Sequence, residues 1–176
     1  YTFWAFIPGL IAWFSIQDIQ SSQNAYLSFA VIAVGAISCA VGGLISPRIG
    51  SEKVALTALL GSGICCILVL IIPTEPHYFW IIFLLIWGML VTADSPQFST
   101  LVAQATPAQY KGTALTLVNC LGFALTIVSI QVGQLLLKWL SIEQMISLLS
   151  IGPLFGLLLF KLFKKKKEAL SRSLPA

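Results

Sequence analysis

Residues 78–104 read YFWIIFLLIWGMLVTADSPQFSTLVAQ, and Asp94 is the one charged residue among them. A run of about 20 mostly apolar residues crosses the hydrocarbon core as a helix, because lipid offers the backbone no hydrogen-bond partner. This run is long enough to span and still carry a polar stretch, Asp94-Ser95-Pro96-Gln97, in its second half. A proline in such a helix lacks an N–H and frees a carbonyl, so an interruption is expected there.

Outward from it the same pattern repeats. Residues 26–46 and 54–72 on one side, and 112–137 and 142–163 on the other, are further spans. Residues 1–14 read as the outer end of a longer helix that begins before Tyr1. Short polar segments separate these runs, at 15–24, 47–53, 73–77 and 105–111. The expectation is an all-α membrane protein: a six-transmembrane-helix bundle over residues 1–163, followed by a disordered basic cytoplasmic tail over 164–176.

Composition agrees with lipid as the solvent. Apolar residues make up 58% of the chain and charged ones 9%, with a mean hydropathy of +0.95. A water-soluble chain of this length needs far more charge on its surface. The net charge of +4 does not point to nucleic acid, because five of the ten basic residues, Lys161, Lys164, Lys165, Lys166 and Lys167, sit together after an apolar run. That is an anchor beside anionic headgroups, without the interleaved aromatics that a nucleic-acid surface needs. The four cysteines lie within apolar runs at no metal-ligand spacing and read as small packing residues. No zinc-protease, nucleophile-elbow or phosphate-loop motif occurs, so neither an enzyme nor a cofactor is expected.

Basic residues set the orientation. Arg48 and Lys53, then Lys111, then the terminal cluster with Arg172 place nine of them on one side, against Lys138 alone on the other. The first side, with the C-terminus, is expected to be cytoplasmic, in a plasma (inner) membrane. Asp18, Glu75, His77 and Glu143 then lie outside.

A carboxylate within a span is costly, about 2.5–3.5 kcal/mol at the centre, and usually faces a cavity or a partner. Asp94 therefore reads as a proton- or cation-binding group on a transport path, or as a carboxylate satisfied by amides near the proline. Asp94, Gln97, Phe98 and Leu101 share one helical face at i, i+3, i+4 and i+7, the candidate cavity lining. Gln97 could equally join this helix to a neighbour. Asn119, Thr126, Gln131 and Gln134 of the fifth run are possible solute contacts, while Gly122 and Gly133 suit close helix approach. Trp4 is a cavity or interface aromatic, near a Pro8 that could shape a bend. His77 reads as a solvated loop residue.

The turn Gly43-Leu44-Ile45-Ser46-Pro47-Arg48-Ile49-Gly50-Ser51-Glu52-Lys53 resembles the Gly-x-x-x-Asp-Arg-x-Gly-Arg/Lys-Arg/Lys loop motif of the major facilitator superfamily. Gly43, Arg48 and Gly50 match; Pro47, Ser51 and Glu52 depart from it. Residues 104–112, from Gln104 through Pro107 to Lys111 and Gly112, are similar to the Glu-x6-Arg element that closes the family's tenth helix, with Gln and Lys in place of Glu and Arg. The resemblance implies helices seven to twelve, the C-terminal half of a twelve-helix major facilitator fold whose N-terminal six-helix half is missing. It further implies that helices seven and ten, carrying Trp4 and Asp94, line a central cavity, and that Arg48 and Lys111 belong to a cytoplasmic gate. The expected function is secondary transport of a small solute by alternating access, with a proton or cation as coupling ion. The alternatives are a non-transporting membrane subunit, which would want larger loops, and an intramembrane enzyme, which would want a second catalytic group facing Asp94.

Overall fold

The computed structural model describes residues 2–14, 21–72 and 77–173, with side chains for all of these except 21–22, 77, 164 and 166–173. Asp18 and Glu75 lie outside the described residues, as does the side chain of His77. Every regular element among the described residues is helical: α1 (Thr2–Phe14), α2 (Ser21–Ile49), α3 (Ser51–Leu68), α4 (His77–Ala105), α5 (Lys111–Leu136), α6 (Ile142–Leu148) and α7 (Ile151–Ser173). A single 3₁₀ turn, Ala108–Tyr110, leads into α5. Among the described residues, five spans are long and apolar enough to cross a bilayer, the last of them, Ile142–Phe163, made of α6 and the start of α7; α1 is a shorter apolar helix.

The boundaries differ from expectation at several places. Residues 47–53 do not form a loop. Instead α2 runs through Pro47 to Ile49, and α3 starts at Ser51, so Gly50 alone reverses the chain. Its φ of 92° lies in the left-handed region that only glycine enters without strain. The third helix ends at Leu68 and closes in turns over 69–71. Nor is α4 interrupted at Asp94 and Pro96, for it is continuous from His77 to Ala105. The last span breaks at Leu149-Ser150, and α7 then extends to Ser173, so the segment expected to be a disordered tail is helical to that point.

Pro47 and Pro96 are tolerated because nearby side chains serve the carbonyls they free. Pro96 cannot donate to the carbonyl of Thr92, and Cys39 Sγ of α2 donates to that oxygen instead, at 3.5 Å. Pro47 likewise leaves the carbonyl of Gly43, which accepts from Ser46 Oγ at 3.2 Å. Such local substitutes are the usual condition for proline within membrane helices.

Helix α4 is the hub and packs most extensively along α2 and α3. Lipid is as apolar as leucine, so helices associate in it through small residues that allow close packing and through interhelical hydrogen bonds. The α2–α4 seam shows both. A Cβ on Gly35 would collide with the side chain of Thr92, and one on Gly88 with the backbone oxygen of Val31. Ser38 Oγ donates across the seam to the carbonyl of Met89 at 2.8 Å.

Aromatic packing holds the first half of α4. Phe14 stacks on Trp80, with ring centroids 3.4 Å apart, and Phe3 meets Trp87 at 4.5 Å. Around them Ile7, Leu10, Met145 and Ile146 are fully or almost fully buried. The second half of α4 carries the polar stretch and is packed more openly. Helix α5 shows Leu117, Leu121, Leu125 and Val128 at its surface, a stripe suited to lipid or to a further helix.

Candidate functional site

In the second half of α4, Asp94 forms part of a wall between two cavities. The front cavity, about 690 Å³, is bounded by Trp4 of α1, Cys39 of α2, Thr92 to Ser99 of α4 except Ala93 and Gln97, and Asn119 and Phe123 of α5. The rear cavity, about 520 Å³, lies between α1, α3, α4, α5 and the α6–α7 break, and includes Ser62, Trp87, Thr126 and Ser129. Val91, Asp94 and Ser95 are common to both. The Asp94 carboxylate is only partly exposed and accepts a hydrogen bond from Ser95 Oγ at 3.1 Å.

Local chain geometry explains this placement. Thr92 Oγ1 donates to the carbonyl of Gly88 at 2.8 Å, so its hydroxyl folds back on the helix. Ser99 and Thr100 do the same, to Ser95 and Pro96. Their polarity is thereby absorbed by α4 itself, and the charged group is left facing the cavities.

Trp4, Asp94 and Asn119 thus come together around the front cavity, and Asp94 and Thr126 around the rear one. Gln131 is exposed on α5 and borders neither. Gln97 also borders neither: it is 2% exposed, and its Nε2 lies 3.5 Å from where a Cβ on Gly42 of α2 would sit. Residues 97 and 98 diverge by about 100° around a helix, so the predicted face is wide enough to meet two neighbours. Phe98 turns to the cavity and Gln97 to α2.

At the far end of α4 the two loop elements converge. Gln104 and Glu52 border one cleft of about 600 Å³, together with Leu101 and the α7 residues Phe160 and Phe163. Gly43, Arg48, Gly50 and Lys111 are all exposed at this end. Gly133 fits its reading as a close-approach residue, since a Cβ there would lie 2.8 Å from Phe6, whereas Gly122 faces open space. Of the rear-cavity hydroxyls, Thr126 is a candidate from the sequence, whereas Thr2, Ser62 and Ser129 are not, because a lone hydroxyl in an apolar run carries no periodic signal. The spacing of Gly35, Ser38 and Gly42 is a signal that could have revealed the α2 seam. Among the described residues no group of His, Cys, Asp or Glu could hold a metal ion.

Apolar spanning helices packed around α4 define a multi-pass membrane protein. Residues 1–130 match the Major Facilitator Superfamily, and the chain belongs to that family of transporters. No curated protein and no solved structure matches it.

Proposed function

We propose that the chain is the C-terminal half, helices seven to twelve, of a secondary transporter that moves a small solute by alternating access, with Asp94 carrying a coupling proton or cation. The observation that carries this reading is the position of Asp94, partly buried in the wall of a 690 Å³ cavity that Trp4 and Asn119 also border. A group that binds an ion in such a wall can link ion occupancy to solute occupancy, which is what coupling requires. Thr126, and more distantly Gln131 and Gln97, contribute to the helices around this path. Arg48 and Lys111, with Gly43, Gly50 and Gln104, form the gate at the other end, where they meet the N-terminal half. Residues 164–176 are the cytoplasmic tail of a plasma-membrane protein.

The test uses the full-length transporter in liposomes loaded with a pH dye and challenged with a panel of sugars, amino acids, organic anions and organic cations. One class should drive proton movement, and Asp94→Asn should abolish it while leaving yield and monodispersity unchanged. Solute-driven proton movement that persists in Asp94→Asn would remove the carboxylate from the coupling role.

A further inference from the structure

The front cavity accounts for one face of Asp94, but the rear cavity reaches the same residue from inside the bundle. Its wall carries hydroxyls from four helices: Thr2 of α1, Ser62 of α3, Ser95 of α4, and Thr126 and Ser129 of α5. Thr2 and Ser129 are hydrogen-bonded to each other, while Ser62 and Thr126 donate to carbonyls of their own helices. Each hydroxyl oxygen still has acceptor capacity. Trp87, which also borders this cavity, is fully buried, and its Nε1–H has no hydrogen-bond partner among the described residues. A buried donor left unpaired is destabilising by about 1–3 kcal/mol. A roomy cavity with two to four polar partners is where buried water is held. An indole N–H beside several hydroxyls meets that condition.

We infer that the rear cavity is a hydrated compartment through which protons reach Asp94 from within the bundle, separate from the solute path in front. The inference rests on Asp94 being the coupling group. The other titratable side chains bordering the two cavities are Cys39 from α2, at the front, and Cys66 from α3, at the rear. Among the described residues, helices α1, α5, α6 and α7 contribute none. With two entrances to one carboxyl group, a proton can arrive or leave while solute occupies the front.

The experiment is infrared spectroscopy of the full-length transporter in lipid, following deuterium exchange at the protonated carboxyl band that Asp94→Asn removes. Ser62→Leu and Ser129→Leu fill the rear cavity from two different helices, so a folding defect in one leaves the other. Gly122→Leu fills the front, where a Cβ meets open space. Both rear variants should slow exchange by about tenfold or more, the effect of a modest added barrier, with Gly122→Leu close to the parent. Slowing by Gly122→Leu alone would overturn the inference and route protons along the solute path. If Asp94→Asn removes no band, the coupling role fails first, and the rear route with it.

Discussion

At Gly88 the two central helices meet with no room for a side chain, because a Cβ there runs into the main-chain oxygen of Val31. Backbone cannot swing aside, so Gly88→Ala should separate α2 from α4 and destabilise the protein by about 1–3 kcal/mol. Gly61 is a useful contrast, since a Cβ there meets the Leu90 side chain, its Cδ2 at 2.9 Å. Leucine can change rotamer, so Gly61→Ala should be the milder change. Melting of the purified protein in detergent, followed by size-exclusion chromatography, checks the order; equal Tm values would mean that the seam relaxes as a whole. Asp94 was legible at this scale because a lone charge within 27 apolar and polar residues stands out whatever the fold. The orientation of Gln97 was not, since period alone leaves a face wide enough for two neighbours.

For whole helices, legibility followed the physics of the bilayer. Span number and approximate position could be read because each crossing requires a minimum apolar length. Two kinds of detail could not. Helix α2 continues through Pro47 and α4 through Pro96 because Ser46 and Cys39 serve the freed carbonyls, and the second of these donors comes from another helix. The break at Leu149-Ser150 is invisible to hydropathy, while the charge of residues 164–173 hid a helix built from good formers such as Lys, Glu, Ala and Leu. A prediction follows from the Pro96 arrangement. Pro96→Ala returns an N–H to the carbonyl of Thr92, a gain of about 1 kcal/mol, so Tm should rise. If the freed carbonyl gives α4 its pliancy, solute-driven proton movement should become slower in the same variant. A fall in Tm would show instead that the proline ring is needed in the cavity wall, which it borders.

On the scale of the whole molecule, the helices alternate so that the Gly50 reversal, the α4–α5 connection and the second part of α7 gather at one end. Contacts fix this: Val31 and Gly35 of α2 meet Gly88 and Thr92 of α4 in the same order, whereas Gly63 of α3 meets Pro153 and Leu59 meets Gly156 of α7 in the opposite order. Hence α2, α4 and α7 run one way and α3 the other. Arg48, Lys53, Lys111, Lys161 and Lys165 belong to the shared end, and Lys138, just past α5, to the opposite one. Moving that many cations across a membrane is strongly disfavoured, which is why the charge bias sets orientation. In a background without the four native cysteines, Lys53→Cys and Lys111→Cys should both react with an impermeant maleimide only from the cytoplasmic face. Lys138→Cys should react only from the outside. Sealed vesicles of the two orientations separate these outcomes. Labelling of Lys53→Cys and Lys111→Cys from opposite faces would break the helix order itself, whereas labelling of both from outside would keep the bundle and invert it. An inverted bundle would move the exposed Arg48 and Lys111 to the external side, and the gate assigned to them would then have to close against the extracellular solution.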